Sequence, residues 1–273
     1  MSDCNKSCIC CKKQSKVGKI MHLQPDMSLV NLFPTTLYKN KMELKENMRL
    51  ELVQEIERQR NEDGGNLEDI RKPTHLESYH KPTWTGDWNG HEFLHLQPMF
   101  KLLFEGIGTN ILNYINLLGL DDNDVKLYFQ RCWATLQKNG ESVRPHTHNQ
   151  SHISFAYYLQ IQSEDDGQLV IHNQTNPNEL APGIFELHSV NSDSKKEKFN
   201  QNYINLKAME MNVKQGDLII FPSKTLHSTT PNKTNNNRIC ISGDVSIIAT
   251  DSSYSEILVP PIEKWLKIGD NDE

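Results

Sequence analysis

The sequence predicts an α+β protein in which helices come first and a β core of sandwich, jelly-roll or barrel type follows. Three observations predict it. Apolar residues recur at steps of three and four before Asp121 and at steps of two after it. The later half breaks into several short alternating runs separated by Gly, Pro, Asn and Asp, the residues that make turns. The helical periods are confined to two segments, as expected where helices brace one side of a sheet.

Taken in order, residues 1–22 are expected to be a flexible tail. Four of the six cysteines, Cys4, Cys8, Cys10 and Cys11, fall there, but no second ligand cluster follows at the spacing of a structural zinc site, so a reduced, mobile tail is the reading. Residues 23–120 are expected to form a helical region packed on the core. LFPTTLY (Leu32–Tyr38) reads as a short strand broken by Pro34. Leu44, Met48, Leu52 and Ile56, at steps of four, predict an amphipathic helix over Met42–Arg60. The polar stretch Asn61–Asn89 reads as a surface excursion, with Trp84 and Trp88 near its end in a place suited to a lid. A second helix is expected from Pro98, with Phe100, Phe104, Ile107, Ile111, Ile115 and Leu118 on one stripe and Gly119 as its stop.

Residues 121–250 carry the β core. Strands are expected around Val125–Phe129, Ile153–Ile161, Gln168–Ile171, Ile204–Val213, Asp217–Phe221 and Ile239–Ile248, with Trp133 as core packing. Asn191–Asn202 reads as an inserted polar loop. Residues 251–273 read as a peripheral tail anchored by Val259, Ile262 and Trp265.

Composition narrows the function. Twenty-nine Lys and Arg against thirty-five Asp and Glu leave a net charge of -6, with no long run of one sign, so no general footprint for nucleic acid or anionic membrane is present. No apolar stretch nears the roughly 20 residues that span a bilayer, and MSDCNKSCICCKKQSK lacks a signal-peptide core, so a cytoplasmic protein is expected.

Eleven histidines are many beside six cysteines. Three of them stand where a metal could use them. In RPHTHNQSHISFAYYL, His146 and His148 are two apart, so an extended chain turns both toward one ion at the mouth of the following strand. In GDLIIFPSKTLHSTTPN, a turn leads into an apolar strand that Pro222 ends, and His227 lies just beyond. Arg238 opens the next strand, eleven residues on. Alternating inward with Cys240 and Ser242, it would be a costly buried charge unless an anion meets it, and its planar fork suits a carboxylate. His22, His75, His80, His91, His95, His152, His172 and His188 have no partner at metal-binding spacing and read as ordinary polar residues.

The order His-x-His, YYL, Gly-Asp, FPS…LH and an arginine eleven residues later resembles the 2-oxoglutarate- and iron(II)-dependent oxygenases. More narrowly, LFPTTLY, the region around Trp133, PHTHNQSHISFAYYL and GDLIIFPSKTLHSTTPNKTNNNRICIS resemble a branch found in phages and bacteria, for which the location would be a host cytoplasm if viral. The resemblance runs from about Leu32 to Val245.

It implies a double-stranded β-helix, or jelly-roll, core. It also implies iron(II) held by His146, His148 and His227, 2-oxoglutarate paired with Arg238, and dioxygen consumed as 2-oxoglutarate is decarboxylated and a substrate oxidised, hydroxylation being the usual outcome. Tyr158 and Ser242, inward by alternation, are candidates for contacts to 2-oxoglutarate or for core. The substrate, and any macromolecular partner, stay open. One departure stands out: most of the superfamily has a carboxylate where this chain has His148, which therefore serves either as a third ligand or as support for the other two. Two other classes fit three histidines: a metal dioxygenase or isomerase that uses no organic cosubstrate, and a non-catalytic cupin-like metal-binding module. Arg238 argues against the cupin-like module, which has no need of a carboxylate partner there, while three-histidine coordination keeps the metal dioxygenase or isomerase as the runner-up.

Overall fold

In a computed structural model of the chain, the residues described are 34–63, 81–121, 123–175, 177–181, 204–251 and 256–268. The cysteine cluster, the Asn191–Asn202 insertion and His22, His75, His80 and His188 lie outside them. Among the described residues, eleven strands and two α-helices run in order as β1 (Tyr38–Lys41), α1 (Glu46–Glu62), β2 (Lys81–Pro82), β3 (Trp84–Thr85), α2 (Lys101–Leu117), β4 (Val125–Gln137), β5 (Glu141–Ser142), β6 (Ile153–Gln160), β7 (Leu169–His172), β8 (Ala208–Met211), β9 (Asp217–Pro222), β10 (His227–Thr229) and β11 (Arg238–Ala249). None of the described helices is long and apolar enough to cross a membrane.

The strands form a six-stranded sheet ordered β1-β9-β6-β11-β4-β3 and a three-stranded sheet ordered β10-β7-β8, antiparallel throughout, with β2 and β5 as a short parallel pair. Strand alternation assigns the two faces of the large sheet. On one face Leu136, Phe155, Tyr157, Leu218, Ile239 and Ile241 pack in a single cluster with Leu52 and Ile56 of α1 and Leu103, Phe104, Ile107 and Ile111 of α2. On the other, Ala156, Tyr158, Ile219, Phe221 and Cys240 pack with Leu169 of the small sheet. Two antiparallel sheets face to face with helices against the outer side make a jelly-roll arrangement in an α+β protein.

Each helix shows why its sequence stops where it does. After α2, Gly119 takes φ +88°; its N–H reaches the Asn116 carbonyl and that of Leu120 reaches Ile115, so two end carbonyls are satisfied by a residue without a Cβ. At the end of α1, Arg60 is buried and donates to Glu141 at 2.9 Å and to the Leu136 carbonyl at 2.6 Å, tying the helix to the β4–β5 turn.

Several expectations shift. Of the strand expected across Leu32–Tyr38, Leu32 and Phe33 lie outside the described residues, and among residues 34–38 only Tyr38 is in a strand, an edge strand that runs to Lys41 and carries lysines. That expected over Ile204–Val213 narrows to Ala208–Met211. Trp84 is no lid: it is 1% exposed, sits in the helix-side core and donates to Asp63 at 2.8 Å. Trp133 is buried, yet it lines the cavity between the sheets.

Candidate metal centre

The space between the sheets is a cavity of about 710 Å³. Its large-sheet wall is the set of residues that alternation turns inward. On β11 these are Arg238, Cys240 and Ser242, opposite Gln137, Thr135 and Trp133 of β4, and Cys240 also faces Tyr158 of β6. His146, His148 and His227 also line the cavity. His146 bridges His227 through a reciprocal backbone pair, N–H to O at 2.9 and 3.1 Å, so a segment before β6 is stitched to β10 at these two histidines. The His148 N–H reaches the Ser223 carbonyl at 2.9 Å, just after β9.

Side-chain nitrogens of His146, His148 and His227 lie within 4.8 Å of one another, the spacing of ligands to one ion. Their other nitrogens are already engaged. Nδ1 of His146 lies 2.8 Å from the Arg144 carbonyl and Nδ1 of His227 lies 2.8 Å from the Thr225 carbonyl. A carbonyl only accepts, so both rings carry a proton on Nδ1 and keep Nε2 for a metal. Burial lowers the pKa of His146 and, helped by the neighbouring His146, pushes that of His227 down to about 3. Neutral imidazole is the ligating form, and burial maintains it.

His148 is held differently. Its Nδ1 lies 3.0 Å from Oδ1 of Asp244, a carboxylate 1% exposed that also accepts from Ser151 and Ser154 at 3.1 Å each and from Arg131 at 2.7 Å. Burial raises the Asp244 pKa, but the hydrogen bonds from His148 and Arg131 and the charge of Arg131 outweigh it and leave the group below its ordinary value. The Trp133 ring lies against His148 with centroids 5.7 Å apart, and the Arg131 guanidinium lies 5.2 Å from the Trp133 ring. Asp244 escaped the sequence reading, although the alternation that turns Arg238, Cys240 and Ser242 inward reaches it next.

Along the same strand the cavity holds an unmatched cation. Arg238 is 2% exposed, makes no ion pair among the described residues, and has one side-chain hydrogen bond, to Gln137 Oε1 at 3.3 Å. Its Nε is buried without a partner, as is the hydroxyl of Tyr158, over whose ring the guanidinium sits at 5.1 Å. Burial raises the Tyr158 pKa, so the hydroxyl stays a neutral donor. Both residues line the cavity, and two buried donors left unmet cost several kcal/mol, which an anion reaching them would offset. Tyr158 and Ser242 both line the cavity, as strand phase predicts.

The four remaining described histidines are spent elsewhere. His91 contacts Asp63, His95 packs among Phe93, Phe104 and Phe129, His152 accepts the Ile247 N–H, and His172 contacts Ser228.

Three clustered histidines and a buried arginine line one cavity between the sheets, the arrangement that the resemblance to the 2-oxoglutarate- and iron(II)-dependent oxygenases implies. Residues 131–244, from the Arg131 partner of Asp244 to Asp244 itself, match the family model described as "Putative 2OG-Fe(II) oxygenase". Comparison with curated proteins gave no match. Among solved structures, the chain is similar to the non-heme alpha ketoglutarate dependent epimerase SnoN from nogalamycin biosynthesis (12% identity, 78% of each chain, TM-score 0.48). It is similar also to HygX from Streptomyces hygroscopicus with nickel and 2-oxoglutarate bound (14% identity, 78% of this chain and 83% of that one, TM-score 0.47). A prolyl-4-hydroxylase from Pseudomonas putida gives 16% identity over 77% and 92% of the chains, with a TM-score of 0.45. Similarity at this level says nothing of substrate.

Proposed function

We propose that the protein is an iron(II)- and 2-oxoglutarate-dependent oxygenase, a hydroxylase of a substrate C–H bond, with His146, His148 and His227 as metal ligands and Arg238 as the anchor of 2-oxoglutarate. The observation that carries the reading is Arg238: a buried guanidinium whose Nε has no partner, in the cavity that the three histidines also line. The donor set by itself suits several divalent metals, because imidazole binds zinc, copper, nickel and iron alike. A three-histidine dioxygenase without an organic cosubstrate would use the same triad, but it would leave Arg238 and the Tyr158 hydroxyl unmet.

Iron(II), when bound, supplies the chemistry that couples reduction of dioxygen and loss of carbon dioxide from 2-oxoglutarate to substrate oxidation, with succinate as coproduct. The chain's own work is binding and exclusion. Arg238 and Tyr158 grip the distal carboxylate and fix the length of acid that reaches the histidines. Phe221 and Leu169 add apolar surface to the cavity wall, and Trp88, which also lines it, is 60% exposed.

The test is spectroscopic. Adding iron(II) and then 2-oxoglutarate without oxygen should produce the visible charge-transfer band of a chelated 2-oxo acid, and admitting oxygen should convert 2-oxoglutarate to succinate. Iron-loaded, folded protein that shows no band at saturating 2-oxoglutarate would sink the assignment.

A further inference from the structure

Three imidazoles bring no negative charge to a divalent ion, and most iron sites of the superfamily this chain resembles include a carboxylate. Here the carboxylate stands one hydrogen bond further out. We propose that Asp244 is a positioning residue for the metal centre: it fixes the His148 tautomer and ring so that Nε2 meets the ion, and it makes that ring a stronger donor. The inference rests on the metal-binding half of the function proposed above and is independent of 2-oxoglutarate.

The hydrogen-bond inventory requires that tautomer. Oδ1 of Asp244 receives the Ser151 and Ser154 hydroxyls and faces His148 Nδ1, while Oδ2 receives Arg131. An ionised carboxylate accepts and never donates, so the proton between it and His148 belongs to Nδ1. Nε2 is then the nitrogen with a lone pair. The other two ligands are oriented by main-chain carbonyls, those of Arg144 and Thr225, which are neutral and beyond the reach of side-chain substitution. Only His148 is oriented by a charge, and carboxylate partners of this kind raise the basicity of a ligating ring.

The support behind Asp244 is built for that purpose rather than for solubility. Ser151 and Ser154 both also contact Ser223, at 2.8 and 2.9 Å, and the Ser223 carbonyl holds the His148 N–H. The backbone and the ring of His148 are thus fixed by one cluster. Cross-strand register places Arg131 and Ser154 directly opposite Asp244 on either side of β11, so the carboxylate has little room to turn.

The experiment uses the full chain loaded with cobalt(II), whose paramagnetism shifts the ring protons of its ligands. In water the wild type should show three exchangeable shifted proton resonances, one for each Nδ1–H, all lost in heavy water. Asp244→Asn should move one of the three, leave the other two in place, and weaken cobalt(II) binding by roughly 10- to 100-fold in competition with a chelator. Two exchangeable resonances in the wild type would overturn the proposal, as would three that stay put in the variant with affinity unchanged. Should the variant not fold, the wild-type count alone decides. A missing band with iron(II) and 2-oxoglutarate leaves these cobalt spectra untouched, so failure of the cosubstrate reading and failure of this one are distinguishable.

Discussion

Replacing Arg238 by methionine should separate stability from binding. In the free protein the guanidinium is buried with a single 3.3 Å hydrogen bond to Gln137, so its charge is poorly repaid. A buried ion exchanged for an apolar chain of similar length is often neutral or stabilising by about 1–4 kcal/mol, so Arg238→Met should unfold no earlier than the parent when no ligand is present. With 2-oxoglutarate the sign reverses. Truncating one partner of a buried, hydrogen-bonded charge pair costs about 2–5 kcal/mol, which is roughly 30-fold to several thousand-fold in dissociation constant. At a concentration 100 times the parent's dissociation constant, ligand stabilises the parent by about 2.7 kcal/mol, whereas a variant weakened 30-fold gains only about 0.9 kcal/mol. Thermal unfolding of the iron(II) protein without oxygen, with and without 2-oxoglutarate, reads both quantities. A variant that binds 2-oxoglutarate within threefold of the parent would refute the anchor role. One that unfolds far earlier without ligand would refute the claim that the charge is unmatched.

Three further outcomes are expected. His148→Ala should fold, by circular dichroism, and lose iron; unchanged iron content would make His148 a supporting residue rather than a ligand. In the metal-free protein, His146 and His227 have folded pKa values below the unfolded value near 6.5. The unfolded chain therefore takes up protons that the native state refuses. The stability these rings confer is complete above about pH 6.5 and is lost as pH falls below it, for His227 down to about 3, at up to about 1.4 kcal/mol per pH unit for each ring. Urea unfolding that is flat between pH 7 and 5 would contradict this. Gly243→Ala places a Cβ 2.6 Å from Phe155 and 2.7 Å from Cys132 Sγ in the helix-side core; a loss of about 1–3 kcal/mol is expected, read as a lower urea midpoint at constant slope.

Much of this was legible because a strand has a period of two. His146 and His148 share a face for that reason, and Tyr158, Cys240, Ser242 and Arg238 were turned inward by alternation alone. What alternation cannot supply is which inward residue meets the core and which meets the cavity. Trp133 read as core packing because its strand, pattern and size fit either, and only the facing sheet decides that its ring lies against His148. Trp84 failed for a different reason. A polar, proline-bearing stretch reads as surface, yet its Nε1 finds Asp63 at the end of α1, a partner 21 residues away that no local pattern announces. The shift of β1 past Pro34 is the one departure with a local cause, since a residue without an N–H suits the approach to a strand better than its ladder.

Asp244 shows the limit most clearly, and also why His-x-His is no defect. Along β11 the inward residues run Arg238, Cys240, Ser242, Asp244, and the register with β4 breaks just after Asp244. The bulge ends the inward series on a carboxylate, at the point where β4 and β6 present Arg131 and Ser154. One strand therefore carries a cation in the cavity, at its start, and an anion behind His148, six residues later. A carboxylate at position 148 would stand beside that buried anion and be repelled by it, whereas an imidazole accepts its support and still offers a lone pair to the ion. The substitution at 148 and the carboxylate at 244 are thus one arrangement rather than two, and neither can be understood from the spacing of the histidines alone.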